Sequence, residues 1–111
     1  MNAKLEKLRS TIRNSLKSHK IKDITIASID NVEILEHQPD NWDESYIEKW
    51  TNVTILISVR GTESFDDGTF KECNYFVQRI SISFSYSDED DVFYVTEIDD
   101  KHANIQKMLM P

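Results

Sequence analysis

Three histidines, one cysteine and twenty carboxylates are the groups in this 111-residue sequence with the means to do chemistry. Their spacing points away from most of it. A metal centre takes imidazole or thiolate ligands within reach of one another. His19, His37 and His102 fall in three separate segments, and Cys73 has no partner cysteine. A nucleophile needs an adjacent base to activate it. Cys73 lies between Glu72 and Asn74, where a neighbouring carboxylate disfavours the thiolate. Loops that cradle phosphates need glycines so that backbone amides can approach the ligand. The only glycines are Gly61 and Gly68, and neither a GxGxxG nor a GxxxxGK[ST] pattern occurs. Acids are so frequent that chance carboxylate pairs are expected, so a pair alone does not argue for acid–base catalysis. The expectation is a protein that is not an enzyme and holds no metal or cofactor.

The acids themselves are grouped. Asp88-Glu89-Asp90-Asp91 is contiguous and has no glycine, unlike a calcium loop, which alternates ligands with spacers around a bend. It reads as a charged hairpin turn, and Asp66-Asp67-Gly68 reads likewise as turn chemistry. In residues 40–50, Asp40, Asp43, Glu44 and Glu48 surround Trp42, Tyr46 and Trp50. Large aromatics anchor interfaces, while carboxylates steer basic partners. The competing reading, that these aromatics close one end of the core, follows from how often such side chains are buried.

Charge is divided along the chain. Residues 1–22 carry seven Lys or Arg against Glu6, a balance of +6, and residues 23–111 carry six basic and nineteen acidic residues, a balance of −13. Leu5, Leu8, Ile12 and Leu16 recur at helical spacing, which predicts a helix with a narrow apolar seam and a basic remainder. Nucleic-acid or membrane binding by this helix is opposed by the acidic body, and it lacks the Trp or Phe usual at a membrane surface. The simpler account is that a +6 helix docks on a −13 body, in its own subunit or in a dimer partner.

The elements that must position these groups follow from periodicity. Ile24–Ile29 and Val32–His37 read as two short strands around an Asp30-Asn31 turn, or as one long bent strand. Residues 40–50 leave the element open, with Asp40 or Asn41 placed to cap an optional short helix. Val53, Ile55, Ile57 and Val59 alternate with polar residues, as do Ile80, Ile82, Phe84 and Tyr86 within a strand over 75–87. Residues 92–98 return as the second arm of a hairpin, and Asp99 or Asp100 is placed to cap a final helix carrying Ile105, Met108 and Leu109. The fold class is therefore α+β. N-terminal and C-terminal helices pack on a curved antiparallel sheet of four to five strands, in one domain spanning residues 1–111. A cystatin-like or nuclear-transport-factor-like roll is compatible with this element order.

A single cysteine excludes an intramolecular disulfide. No apolar run approaches the about 20 residues of a membrane span, and no secretory h-region follows the basic start. A soluble, cytoplasmic protein is expected. Size, acidity and the absence of motifs are similar to those of bacterial immunity and antitoxin-type inhibitors, which cover the active site of a basic, often nuclease, toxin. This resemblance implies a basic toxin domain as partner, with no nucleic acid and no membrane. The expected contact residues are Asp40, Trp42, Asp43, Glu44, Tyr46 and Glu48, then Asp66, Asp67, Asp88, Glu89, Asp90 and Asp91. A homodimeric chaperone for a secreted protein and a roll-type small-ligand binder are the alternatives.

Overall fold

The computed structural model describes residues 3–17, 19–22, 24–38 and 44–107. A helix, α1 (Ala3–Leu16), is followed by two strands, β1 (Lys20–Ile21) and β2 (Ile24–Gln38). After a 3-10 helix (Glu44–Lys49) come β3 (Asn52–Ser64), β4 (Phe70–Ser87), β5 (Val92–Asp99) and β6 (Asn104–Lys107). The class is α+β: among the described residues, one α-helix lies on a six-stranded antiparallel sheet in the order β1-β2-β3-β4-β5, with β6 also on β4.

The spacing of apolar residues explains how this sheet bends. On β3, Val53, Ile55, Ile57 and Val59 are buried at an unbroken interval of two. On β2 the inward residues are Ile24, Ile26, Ile29, Val32 and Ile34, and their spacing includes two steps of three. A strand inverts its faces at every residue, so each step of three needs an extra residue to keep the apolar set inward. The register against β3 shifts at those steps, between Ile26 and Ser28 and between Ile29 and Asn31, and shifts again between Ile34 and Glu36. The same device recurs on β4, between buried Val77 and Ile80, and on β5, between Val95 and Glu97. A bulged strand is longer than its partner and bends the sheet towards one side. Bulges on the strands around a regular β3 thus curl the sheet into a trough. Arg79 sits in the β4 bulge with a φ of 63°.

The trough holds α1. Leu5, Leu8, Ile12 and Leu16 are all buried against the sheet, as their spacing predicts, and each contributes about 1.5–3 kcal/mol by leaving water. The helix approaches β2 and β5, the two flanks of the trough. It therefore docks on its own chain. The opposite, convex face carries polar residues such as Thr54, Ser58, Ser81 and Ser83, with Asn52 Nδ2 donating to the Ser81 and Ser83 hydroxyls.

Three expectations are corrected. Residues 104–107 form a strand, not a helix, and Ile105 pairs with Val77. β5 covers only Ser81–Ser87 of the long β4, so the remaining backbone groups of β4 need a partner, and the chain turns back to supply one. The Asp99 side chain accepts from the Lys101 N–H at 3.0 Å within that turn, which diverts the expected helix cap. Met108 and Leu109 lie outside the described residues. Second, the sheet has six strands rather than four to five. Third, of the two readings of residues 24–37, the hairpin at Asp30-Asn31 is overturned and the single long bent strand is the one found. Residues 24–38 are one strand, and Asp30 is the extra residue of a bulge.

Among the described residues, no helix is long and apolar enough to cross a membrane.

Candidate interaction surfaces at the two ends of the sheet

The expected contact residues are divided by the fold. The turns Asp66-Asp67 and Asp88–Asp91 close opposite ends of the 18-residue strand β4. They therefore occupy opposite ends of a molecule whose longest dimension is 49 Å. Asp40, Trp42 and Asp43 lie outside the described residues. Glu44, Tyr46 and Glu48 fall on the 3-10 helix, whose Ile47 is buried, as is Trp50 just beyond it. For Trp50 the role is core closure.

At the end where the 3-10 helix, the β4–β5 turn and the start of α1 meet, two of the carboxylates, Glu48 and Asp91, are paired internally. Lys4 Nζ lies 2.7 Å from Glu48 Oε1 and 5.0 Å from the centroid of the Tyr86 ring. Lys7 pairs with Asp91, and the Tyr86 hydroxyl donates to the same carboxylate. The hydrogen bond from Lys7, then that from Tyr86, holds the Asp91 carboxyl below its ordinary range. The bond to Glu48 pushes Lys4 up, and the hydrogen bond to Asp91 pushes Tyr86 up. This chain of contacts fastens the first turns of α1 to two other elements. Asp88, Glu89 and Asp90 remain exposed on the turn. The Asp90 carboxylate accepts from Tyr94 Oη at 3.3 Å.

At the other end, the β3–β4 hairpin closes through residues 65–69. Phe65 N–H donates to Thr69 O at 2.9 Å, and Gly68 N–H donates to Phe65 O at 3.0 Å. Gly68 has a φ of 86°, a conformation that suits glycine. Asp67 Oδ1 accepts from both the Thr69 amide and the Thr69 hydroxyl. The hydroxyl first and the amide second lower its pKa. Asp67 thus builds the turn while keeping its charge, and Asp66 stands exposed beside it. Every residue from Ser64 to Glu72 is exposed. Among them are Phe65 at 44% and Phe70 at 72%.

The two phenylalanines are absent from the contact set expected from sequence. The signal was available for Phe70: on β4 the buried residues Tyr75 and Val77 are odd-numbered, so an even-numbered aromatic five residues before Tyr75 belongs on the outer face. A large aromatic on the outer face at a hairpin tip has no neighbour to cover it.

His19 Nε2 is 4.0 Å from Asp100 Oδ2. Among the described residues, no three His, Cys, Asp or Glu side chains group to hold a metal ion. Cys73 is a half-buried free thiol. No protein-family model matches the chain, and neither does any curated protein or solved structure with which it was compared.

Proposed function

We propose that this chain is a non-enzymatic protein-binding module that holds a basic partner, acting as an immunity or antitoxin-type inhibitor that covers the active site of a toxin domain, including that of a nuclease. One observation carries the reading: a projecting hairpin tip that combines two exposed phenylalanines with two aspartates. Soluble proteins leave single apolar residues exposed routinely, but an exposed aromatic pair on an ordered turn marks an interaction site. The adjacent carboxylates choose the partner. They repel anionic membranes and nucleic acid and draw in lysine- and arginine-rich protein surfaces. The chaperone alternative needs an apolar groove on the sheet, and α1 fills the trough where that groove would be.

The test is a tagged pull-down from the native host at low salt with quantified stoichiometry, followed by binding kinetics on the partner so found. A single dominant basic protein, released by high salt, is expected. Phe65→Ser with Phe70→Ser should speed dissociation, and Asp66→Lys with Asp67→Lys should slow association by at least about tenfold at low salt. The absence of any stoichiometric protein partner would overturn the proposal. Binding that survives both double variants would overturn the assignment to the hairpin tip.

A further inference from the structure

The strand order ends at β5 (Val92–Asp99). β5 pairs with Ser81–Ser87 of β4 on one side and, among the described residues, with no strand on the other. Half of its backbone N–H and C=O groups therefore point away from the sheet, and such an edge is a template for one more strand. The opposite border of the sheet is better protected. β1 covers the start of β2 there, and β2 leaves regular register at three places, which blunts an edge. β5 leaves it once, after Val95, so Val92 to Val95 run in regular register.

The two sides of this edge differ in character. On the inner side, α1 and β5 border a cleft of about 520 Å³, lined by Ala3, Ser10, Thr11, Val92 and Phe93. The charged side chains on its walls are engaged: Lys7 with Asp91, Glu6 with Arg9, and Asp90 with the Tyr94 hydroxyl. On the outer side, Val92 is 38% and Tyr94 50% exposed, at the interval of two that places both on one face. Thr96 and Glu97 are exposed further along. Residues 88–100 carry seven carboxylates and no lysine, arginine or histidine. That charge decides between occupants. Two copies of this chain meeting edge to edge would bring together two segments with acids and no base, and like charges across a strand pair are destabilising. A basic strand is attracted.

We propose that the open edge of β5 takes up an extended, basic segment of another protein as an added strand. Its backbone bonds to the outward N–H and C=O groups of β5, which supplies affinity without regard to sequence, and the alternation of its side chains supplies the choice. Apolar side chains enter the α1–β5 cleft beside Phe93. Lysine or arginine side chains lie on the outer face, where Glu97 offers a carboxylate and the Tyr94 ring a face for a cation. This surface is independent of the Phe65/Phe70 tip, which closes the other end of β4, and either can bind without the other.

The test is an NMR titration of the full chain at low, constant ionic strength with three synthetic heptapeptides: alternating lysine and valine, the same with glutamate for lysine, and the lysine peptide with every backbone amide N-methylated. Saturable shifts at Val92–Val95 are expected with the lysine peptide, and the outward amides of that stretch should gain protection from hydrogen exchange. The glutamate peptide should give no response. The methylated peptide keeps the charge but loses the edge hydrogen bonds, and should bind about tenfold or more weakly. Asp90→Lys with Glu97→Lys should weaken the lysine peptide about tenfold at low salt, and Phe65→Ser with Phe70→Ser should leave its binding unchanged. The proposal is overturned if the wild-type chain gives no saturable response at β5, if the methylated or glutamate peptide binds equally, or if the tip variant abolishes the response. It is also overturned if the β5 amides become protected without peptide as the chain is concentrated, which would make the occupant a second copy. The wild-type titrations decide most of these outcomes, so a variant that fails to fold does not shelter the idea.

Discussion

Replacing Gly61 by alanine pits backbone entropy against packing, and the structure decides the sign. Gly61 lies inward on β3, between buried Val59 and the hairpin, and pairs with Ile26 on one side and Cys73 on the other. Gly68 is the glycine with positive φ, so at Gly61 alanine is conformationally acceptable. On that ground alone the substitution should stabilise the fold by about 0.4–1 kcal/mol, by restricting the unfolded chain. But a Cβ there meets Ile24 Cγ2 at 2.6 Å, Thr25 O at 3.1 Å and Tyr75 Cε2 at 3.6 Å. Ordinary carbon contacts lie at about 3.5–4.0 Å, so the Ile24 methyl must withdraw by about 1 Å. Ile24 is only 5% exposed, its β-branched side chain is stiff at χ1, and the Thr25 carbonyl is part of the backbone. Overpacking of this kind costs about 1–3 kcal/mol. The net expectation is a destabilisation of about 1–2 kcal/mol, seen in urea denaturation as a lower midpoint with an unchanged m-value. Ile24→Ala removes the offending methyl. The double variant should therefore be more stable than the two single effects predict, by at least about 0.5 kcal/mol. A Gly61→Ala protein as stable as wild type, or a double variant that is strictly additive, would refute the packing argument.

Arg79 should prefer glycine. Its φ of 63° costs a side-chain-bearing residue about 1–2 kcal/mol, and the residue is exposed. Arg79→Gly should leave stability unchanged or raise it by up to about 1 kcal/mol, whereas Arg79→Val should lower it. The reverse order in thermal denaturation would mean that the bulge is not where the register places it. Tyr75 should ionise late in the folded protein. Burial, then the Glu63 charge, pushes its hydroxyl from 10.0 up to about 12. Because the folded value is raised, this contribution to stability is complete below pH 10 and is lost as pH climbs from 10 to 12. An ultraviolet titration of the folded protein should show a late tyrosinate step that Tyr75→Phe removes. A folded-state titration that Tyr75→Phe leaves unchanged above about pH 11 would contradict the buried placement.

The parts of the fold legible in sequence are those governed by local period. The α1 seam of Leu5, Leu8, Ile12 and Leu16, and the alternation of Val53 to Val59, each require only that neighbours along the chain share a face. The acidic turns were legible for the same reason, since Asp-Asp-Gly and a run of four acids interrupt any apolar pattern. The β2 bulges were half legible. The intervals of three from Ile26 to Ile29 and from Ile29 to Val32 are written in the sequence, but read locally they resemble a turn at Asp30-Asn31. Only pairing against an unbroken β3 makes each interval a bulge. The C-terminal segment was misread because its apolar spacing suits a helix equally well, while the vacant edge of β4 that claims it is set by how far β5 reaches.

For the interaction surfaces the division is similar. The residue types alone determined an acidic chain with a basic first helix, and left no motif for nucleotide or metal chemistry. The tertiary structure decided which charges face outwards. Lys4 and Lys7 find Glu48 and Asp91 only after α1 settles in the trough, because those partners are more than forty residues away in sequence. It also separated the two acidic turns to opposite ends of β4 and left Phe65 and Phe70 uncovered. Sequence fixes what each residue prefers, but whether a preference is met depends on which distant segment arrives beside it. That arrival is set by the curvature the bulges impose on the whole sheet.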